Sequence, residues 1–210
     1  MILGLGDCNM LGADKFDSKS YIGLVEKTSN KKVINCAHTM TTSREGLLYF
    51  RDNYEKNFEL VVVAYGLVDA WKTFKYAPYV LYYPDNFFRK FGRKIVKKYK
   101  KISKRFGLNE LLGTKNVVSL DEYKKNIEFI VKNSRRVLLI ETAPRLDFLE
   151  LNRDIKKYNS ILSDIALEYK HVEIVEIYKD FEANKALYFD SVHFNESGHL
   201  LVAKKIADKL

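Results

Sequence analysis

Five short, continuous apolar runs constrain the fold of this chain most strongly. Each is six to eight residues long and lacks the polar alternation of half-exposed strands, which is typical of strands buried on both faces of a parallel sheet. The five predicted strands cover Met1–Gly6, Lys32–Ala37, Glu59–Gly66, Arg136–Thr142 and Val172–Tyr178. A parallel sheet is therefore expected at the centre of the fold.

The segments between these runs carry apolar residues at helical spacing. Thr41, Thr42 and Ser43 are each able to cap the helix that follows them, and Ser119 with Glu122 forms a predicted capping box. The predicted helices cover Ser18–Lys27, Ser43–Tyr54, Ser119–Lys132, Glu150–Tyr169 and Glu196–Leu210. Because strand and helix alternate, the chain is predicted to be an α/β protein. Its expected form is a three-layer αβα sandwich, flavodoxin-like, with a five-stranded parallel sheet.

Residues 67–114 do not fit a short connection between a strand and a helix. This segment begins with aromatic residues and continues into ten lysines and arginines between Phe87 and Phe106, without a single acid. That stretch contributes +10 to a net charge of +9, so the rest of the chain sums to −1. Apolar residues recur within it every three or four positions, which predicts an inserted amphipathic helix over 88–106. They are Phe88, Phe91, Ile95, Tyr99, Ile102 and Phe106.

Three interpretations of this basic helix are open. Its apolar stripe packs on the domain and leaves a solvated lysine face, or the helix covers the active site as a lid. In the third interpretation it meets an anionic membrane or a phosphate-bearing substrate, which predicts a peripheral membrane contact through 88–106. Nucleic acid is not expected as a partner, because no known nucleic-acid motif accompanies the lysines.

Length and composition narrow the class of protein. A chain of 210 residues is most simply one domain, 1–210. No stretch approaches the roughly 20 apolar residues of a membrane-spanning helix, and Asp7 interrupts the first apolar run, so a cytoplasmic protein without a signal peptide is expected. Two cysteines suit a reducing compartment. No nucleotide-binding glycine loop or metal-ligand spacing is present, so neither a cofactor nor a metal is expected.

The strongest chemical signal lies before the last predicted helix, where Asp190 and His193 form a D-x-x-H pair. In a turn, this spacing places the carboxylate beside the imidazole, where it orients the ring and stabilises the protonated form. A lone D-x-x-H is common. The longer pattern D-x-x-H-F-N-x-x-G-H, in a chain whose first strand ends in Gly6-Asp7-Cys8, is much more specific.

These motifs together resemble the SGNH/GDSL hydrolases, a family of three-layer αβα esterases and acyl-transfer enzymes, over essentially the whole chain. The matching blocks are Gly6-Asp7-Cys8 for G-D-S, VINCAHTM after the second strand, Gly66-Leu67-Val68-Asp69 for G-x-N-D, and Asp190 with His193. The resemblance implies that Cys8 is the nucleophile, His193 the base and Asp190 the orienting acid. The G-x-V-D variant is similar to members from bacterial surface-polysaccharide gene clusters, which implies an acylated sugar or an activated acyl donor as substrate.

The sequence departs from the family pattern at three site positions. The nucleophilic Ser is Cys8, the second-block Gly aligns with about Met40, and the third-block Asn, a side-chain donor to the oxyanion, is Val68. Loss of one such donor typically costs about 10²–10³ in rate. Backbone N–H groups of Cys8 and of residues near Met40 remain candidate donors, and the side chain of Asn9 is a further one.

A cysteine in the nucleophile position has a coherent chemical interpretation. A thiolate is a better nucleophile than an alkoxide at neutral pH, and a helix N-terminus beside a histidine lowers the pKa of a cysteine. A Cys8–His193–Asp190 triad would form an acyl-cysteine that water or an acceptor hydroxyl resolves. The alternative is an inert Cys8 in a non-catalytic protein of the same fold that binds a glycan or another partner.

The remaining candidates lie at the same end of the predicted sheet. Gly66 and Asp69 follow the third strand, and Asp69 is expected to fix the loop there. His38 follows the second strand, where it lines the pocket or is simply solvated. Cys36 is expected to be a small core residue, and His199 to pack or hydrogen-bond at the start of the last helix.

Overall fold

The computed structural model describes residues 1–12 and 20–210, and its centre is a five-stranded parallel sheet in the order β2-β1-β3-β6-β7. These strands are β1 (Ile2–Gly6), β2 (Val33–Asn35), β3 (Leu60–Ala64), β6 (Val137–Ile140) and β7 (Val172–Val175), and two more, β4 (Lys72–Phe74) and β5 (Thr114–Asn116), pair separately. The predicted five-stranded parallel sheet is confirmed. Each of its strands is shorter than the apolar run that predicted it.

Helices cover both faces of this sheet, because successive residues of each central strand point to opposite faces. Leu3 and Val63 pack in the core under α3, α7 and α8, whereas Ile2 and Val62 pack in the core under α2 and α10. The helices are α1 (Cys8–Leu11), α2 (Tyr21–Ser29), α3 (Ser43–Asn53), α4 (Leu67–Ala70), α5 (Phe87–Arg105), α6 (Leu108–Leu112), α7 (Leu120–Lys132), α8 (Leu149–Glu168), α9 (Tyr178–Ala183) and α10 (Glu196–Ala207). The three-layer αβα architecture is therefore confirmed.

The helix starts follow their capping residues closely. Thr42 caps α3 and forms a capping box with Glu45. Ser119 caps α7, as predicted, but the carboxylate of Glu122 holds the Arg44 guanidinium with two hydrogen bonds of 2.5 and 2.6 Å instead of closing the predicted box. The predicted start of the first long helix at Ser18 lies outside the described residues.

The inserted segment is a small subdomain built on a two-stranded antiparallel stem. β4 pairs with β5, and α5 and α6 lie between them in the chain. Glu45 of α3, which is fully buried, ties the segment to the sheet domain by accepting hydrogen bonds from the hydroxyl of Tyr79 (3.0 Å) and the N–H of Tyr82 (2.8 Å). The predicted inserted helix is confirmed, with its start at Phe87 and its end at Arg105.

The interpretation that α5 packs its apolar stripe on the domain is wrong. Phe88 is 81% exposed, Phe91 57% and Phe106 70%. The helix instead contacts the rest of the insertion along a neighbouring face: Ser103 is fully buried, Gly92 lies close to Val80, and Arg93 donates to the carbonyl of Leu81 at 2.8 Å. Small side chains let α5 approach closely on that face, so the aromatic stripe is left in solvent.

In the described part of the chain, no helix combines the length and the apolar character needed to cross a membrane.

Candidate active site

Cys8 opens helix α1 directly after β1, at the carboxyl end of the sheet. The side chain of Asp7 caps this short helix by accepting a hydrogen bond from the N–H of Asn9 at 3.0 Å. Gly6 makes the sharp exit from the strand possible, because a Cβ there would lie 2.6 Å from the Cβ of Met10. The Gly-Asp-Cys sequence therefore places the half-buried Cys8 side chain at the carboxyl end of the sheet, the end at which open α/β sheets form their ligand crevice.

Asp190 and His193 form the pair that their spacing predicts. Asp190 Oδ2 lies 2.7 Å from His193 Nδ1, and Asp190 Oδ1 accepts the backbone N–H groups of Val192 and His193, both at 2.7 Å. Burial opposes ionisation of Asp190, but these hydrogen bonds outweigh it and hold its pKa below the ordinary value. The carboxylate is thus charged at neutral pH and fixes the ring so that Nε2 is the nitrogen free for proton transfer.

Asn9 joins the loop of His193 to the helix of Cys8. Its Nδ2 donates to the carbonyl of Val192 at 3.3 Å, and its Oδ1 accepts the N–H of Phe194 at 3.3 Å. The carboxamide therefore holds the residues on both sides of His193. One N–H of the amide is thereby used to position the loop, and because the amide carries a second N–H, the expected donor role of Asn9 toward the oxyanion stays a prediction.

The expected lowering of the Cys8 pKa is contradicted. Burial, followed by the charge of the neighbouring Asp7, raises the pKa of the Cys8 thiol well above its ordinary value. Burial also raises the pKa of Asp7, to about 6, against a hydrogen bond from Asn9 and the nearby His193. A four-residue helix capped by a carboxylate offers little field to stabilise a thiolate. Cys8 is thus a neutral thiol at pH 7.

Among the described residues, no hydrogen bond joins Cys8 and His193, although Asn9 ties their two segments together. In residues 1–12 and 20–210, the ring of His193 bonds to Asp190, and no hydrogen bond joins Cys8 Sγ to it. The side chains of His193 and Asp190 are 36% and 44% exposed, so ligand and solvent reach the pair. Hydrogen bonds between catalytic groups are often long before substrate binds, and the triad stays a prediction on this geometry.

Met40 and Gly66 keep the backbone forms that their motif positions suggest. Met40 has φ 63°, a left-handed conformation that a side chain rarely adopts and that glycine favours. Gly66 has φ 142°, and a Cβ there would lie 2.4 Å from Thr142 Oγ1. Val68 is buried and, with Met40, lines the cleft under α5. Its isopropyl group has no hydrogen-bond donor for an oxyanion.

Asp69 fixes the loop after β3, as expected. It is fully buried, and its Oδ1 accepts the N–H of Ser43 at 2.9 Å, while its carbonyl accepts the N–H of Val118 at 3.1 Å. Burial, partly offset by hydrogen bonds from Ser43, raises its pKa to about 7. Asp69 therefore anchors the site loop to α3 and to the far end of the insertion.

The other histidines and cysteines lie around this site in supporting roles. His38 is exposed, with Nδ1 2.9 Å from the carbonyl of Thr39. His199 is buried, and its Nδ1 accepts the N–H of Tyr21 at 3.3 Å, which confirms its structural role. Cys36 is half-buried near Asn53. No cluster of three potential metal ligands occurs among the residues that the structure describes.

The fold and its strand-end site define a class: an αβα protein with the architecture of the lipolytic G-D-S-L hydrolases. The chain is similar to a G-D-S-L family member from Veillonella parvula (15% identity, 99% of this chain and 96% of that one, TM-score 0.63). It is also similar to the catalytic domain of Streptococcus pneumoniae peptidoglycan O-acetyltransferase A (15%, 99% and 90%, 0.60). A third similar structure is a Geobacillus stearothermophilus acetylxylan esterase (16%, 99% and 92%, 0.60).

At these identities the likeness establishes the fold. No protein-family model matches the chain, and no curated protein matches it significantly.

Sequence reasoning missed two features of the site. The role of Asn9 depends on partners 183 and 185 residues away, so no local pattern reveals it. Glu45 is the anchor of the insertion, and its position three residues after the cap Thr42 predicts only a capping box. Its buried carboxylate is shared between α3 and the incoming segment, which is a tertiary arrangement.

Proposed function

We propose that this protein hydrolyses or transfers an acyl group of an ester, with Cys8 as nucleophile, His193 as general base and Asp190 as the orienting acid. One observation carries the proposal: Asn9, the neighbour of Cys8, holds the backbone on both sides of His193, while Asp190 fixes the ring at 2.7 Å. Three groups with the chemistry of acyl transfer are thereby tied to one crevice.

The first half-reaction forms a thioester. His193 Nε2 takes the proton of the Cys8 thiol as Sγ bonds to the acyl carbon, and the carbonyl oxygen becomes an oxyanion. The intermediate collapses with cleavage of the bond to the leaving oxygen, which receives the proton from His193. Because the resting thiol is neutral, deprotonation accompanies attack, as with a serine nucleophile, and a preformed thiolate is not required.

The second half-reaction restores the thiol. Water, or the hydroxyl of an acceptor, gives its proton to His193 and attacks the thioester carbon. The C–S bond then breaks and Cys8 Sγ takes the proton back. The product is a carboxylic acid with water and a new ester with an acceptor hydroxyl, so one site serves hydrolysis and transfer.

The oxyanion hole in this proposal is formed by backbone groups. Val68 has no side-chain donor, and one of the two N–H groups of the Asn9 amide is already bonded to the carbonyl of Val192. The N–H of Cys8 and those near Met40 are the backbone candidates, and the left-handed backbone of Met40 supports a turn shaped like that of a glycine. We expect slower turnover than in an enzyme that keeps the additional side-chain donor.

Acylated glycans are the substrate class that we propose. Two structures with this fold are named as a peptidoglycan O-acetyltransferase and an acetylxylan esterase, and both names combine an acetyl group with a polysaccharide. The G-x-V-D form of the third motif points the same way, toward surface-glycan synthesis in a bacterial cytoplasm. No cofactor is needed for either half-reaction.

Hydrolysis of p-nitrophenyl acetate tests the proposal. Cys8→Ala and His193→Ala are expected to lose about 10³-fold or more in kcat/KM, whereas Cys36→Ala, which removes the other thiol, keeps the activity. Equal activity in Cys8→Ala and the unmodified protein would overturn the proposal.

The second candidate function is a glycan-binding protein without catalysis, favoured by the raised pKa of Cys8 and by Val68. It predicts that an acetylated oligosaccharide binds with the same affinity to the unmodified protein and to His193→Ala, and that neither one deacetylates it.

A further inference from the structure

A cleft of about 890 Å³ lies between α5 and the sheet domain, beside the site. Its floor is apolar, formed by Val68, Trp71 and Val117, and its helical wall carries Lys94, Lys97 and Lys100. The volume is within the range of about 300–1,000 Å³ that is usual for ligand sites. The helical wall therefore combines lysines with apolar side chains such as Phe91, and the opposite wall is apolar.

The lysines of this wall lack the acidic partners that other cations of α5 have. Lys90 and Arg93 both pair with Asp85, at 3.0 and 2.6 Å, whereas no carboxylate in the described residues forms an ion pair with Lys94, Lys97 or Lys100. Burial and the neighbouring Lys115 lower the pKa of Lys100 below its ordinary value. An anion bound here would relieve that cost.

Two polar atoms of the cleft residues are also unsatisfied. The indole Nε1–H of Trp71 and the hydroxyl of Thr73 are buried and have no hydrogen-bond partner among the described residues. Buried donors are rarely left unpaired in a finished structure. Because both atoms are also inaccessible to solvent, a ligand in the cleft reaches them only if the surrounding side chains shift.

We propose that the cleft binds an anionic amphiphile, with its apolar chain along Val68, Trp71 and Val117 and a phosphate-bearing head on Lys94, Lys97 and Lys100. If the proposed function holds, this molecule is the acyl donor, because Met40 and Val68 border both the cleft and the proposed oxyanion site. The binding itself does not depend on that function. The ligand could come from a lipid or from a soluble acyl carrier, which share this chemistry.

The fluorescence of Trp71 gives a direct readout, because Trp71 is the only tryptophan of the chain and it lines the cleft. Dodecyl phosphate, kept below its micellar concentration, is titrated into the Cys8→Ala protein, so that turnover plays no part. We expect a saturable change in emission. Dodecyl maltoside, with the same chain and no charge, and inorganic phosphate, with the charge and no chain, are each expected to bind at least about tenfold more weakly.

Two matched triple variants each remove three positive charges from the same helix. Lys94→Gln/Lys97→Gln/Lys100→Gln, on the cleft wall, is expected to weaken dodecyl phosphate about tenfold or more. Lys98→Gln/Lys101→Gln/Lys104→Gln, whose side chains are exposed and do not line the cleft, is expected to change the affinity less than about twofold.

Equal losses in the two triple variants, or equal affinity for the phosphate and the maltoside, would overturn this proposal. Retained binding without esterase activity would instead overturn only the proposed function. Dodecanoyl-coenzyme A and dodecyl phosphate in phosphatidylcholine vesicles then distinguish a soluble carrier from a lipid source.

A separate observation concerns the apolar stripe of α5, of which Phe91 also lines the cleft. The stripe defined by Phe88, Phe91, Ile95, Tyr99, Ile102 and Phe106 is 40–81% exposed, and it is flanked by lysines along its whole length. Contiguous exposed apolar surface of this kind marks an interaction site. Pairing with a second copy of this chain would bring ten cations against ten, with no acid in either segment, so self-association is disfavoured.

We infer that this stripe inserts into an anionic lipid surface, with the surrounding lysines near the lipid phosphates. Sedimentation with phosphatidylglycerol vesicles tests it. Phe88→Ser/Ile95→Ser is expected to reduce the partition coefficient about tenfold or more. Leu167→Ser/Leu200→Ser is the matched control, because these residues are 87% and 53% exposed on other helices, against 81% and 52% for Phe88 and Ile95.

The control pair is expected to sediment like the unmodified protein, and binding should weaken with salt and with neutral phosphatidylcholine vesicles. Equal loss in the two pairs would overturn the inference. So would binding to polyuridylic acid without binding to vesicles, or a dimer that Phe88→Ser/Ile95→Ser dissociates.

Discussion

The site around Cys8 and the insertion from β4 to β5 differ in how their polar and apolar groups find partners. Near the site, the buried carboxylate of Asp69 accepts the N–H of Ser43 through Oδ1. In the insertion, Lys94 and Lys97 have no ion-pair partner in the described residues, and Phe88 lies in solvent. The Asp69 carboxylate is thus held by another element of the fold through one of its oxygens, whereas the insertion exposes cations that are unpaired in the described part of the chain, such as Lys94, and apolar side chains such as Phe88.

The largest expected difference between the two regions is in the effect of their variants on kcat. Asp190→Asn should lower kcat for p-nitrophenyl acetate by about 10³–10⁴, because His193 loses the group that fixes its tautomer and stabilises its charge. The triple variant Lys94→Gln/Lys97→Gln/Lys100→Gln should keep the kcat of this small uncharged ester within about twofold. A large loss of kcat in the lysine variant would contradict this separation, because the lysines would then take part in catalysis.

Alanine substitutions at two glycines with positive φ, Gly66 and Gly113, compare how tightly the two regions are packed. Gly66→Ala places a Cβ 2.4 Å from Thr142 Oγ1 at φ 142°, so we expect the free energy of unfolding to fall by roughly 3 kcal/mol. Gly113 of the insertion also has positive φ, 88°, but nothing lies within 4 Å of its Cβ position. Gly113→Ala should carry the backbone cost alone, about 1–2 kcal/mol. Urea titration measures the free energy of unfolding of both variants. Equal losses would mean that the backbone at Gly66 is no more tightly packed than that at Gly113.

The pH dependence of stability separates Asp69 from Asp85. The folded-state pKa of Asp69, about 7, lies above the ordinary value near 4, so its contribution is full below about pH 4 and is lost as the pH rises to about 7. Relative to Asp69→Asn, the unmodified protein should therefore lose on the order of 2 kcal/mol between pH 4.5 and 8.

Asp85 of the insertion is the opposite case. Hydrogen bonds from Arg93 and Lys90 hold its pKa below the ordinary value, so any contribution is present above about pH 4 and is lost in acid. Asp85→Asn should leave the slope between pH 4.5 and 8 unchanged. Equal slopes in Asp69→Asn and the unmodified protein, measured by urea unfolding, would contradict the burial argument.

The smallest expected effect is that of Asn9→Ala on kcat, and it tests whether Asn9 positions the loop of His193 or only stabilises the fold. Asn9→Ala should lower kcat roughly tenfold with little change in KM, because it releases the loop on both sides of His193. Asn9→Asp keeps the acceptor for Phe194 but loses the donor to Val192, so partial recovery is expected.

Asn86→Ala is the control for Asn9, since it removes the side chain that caps α5 without touching the crevice. It should lower stability by about 1 kcal/mol and leave kcat unchanged. If Asn9→Ala altered stability alone, its role would be structural.

Local patterns predicted most of the fold but only part of the site. The strands and the caps at Thr42 and Ser119 depend on neighbouring residues, and so does the Asp190–His193 pair, three residues apart. The exposure of α5 depends instead on which face meets Gly92 and Ser103.

The error in the pKa of Cys8 and the missed role of Asn9 have the same origin. The pKa of the Cys8 thiol depends on burial and on Asp7. The hydrogen bond from the Asn9 amide depends on Val192, at the far end of the chain. A motif fixes the identities of these groups but not the desolvation and the partners that set their chemistry.

Trapping of the acyl-enzyme tests the central claim most directly. The protein is mixed with p-nitrophenyl acetate, quenched in acid during turnover, and examined by intact mass and peptide mapping. We predict one acetyl group on Cys8, removed by hydroxylamine as a thioester is, and absent from Cys8→Ala. Acetylation spread over Cys36 and lysines, unchanged in Cys8→Ala, would contradict a nucleophilic role for Cys8.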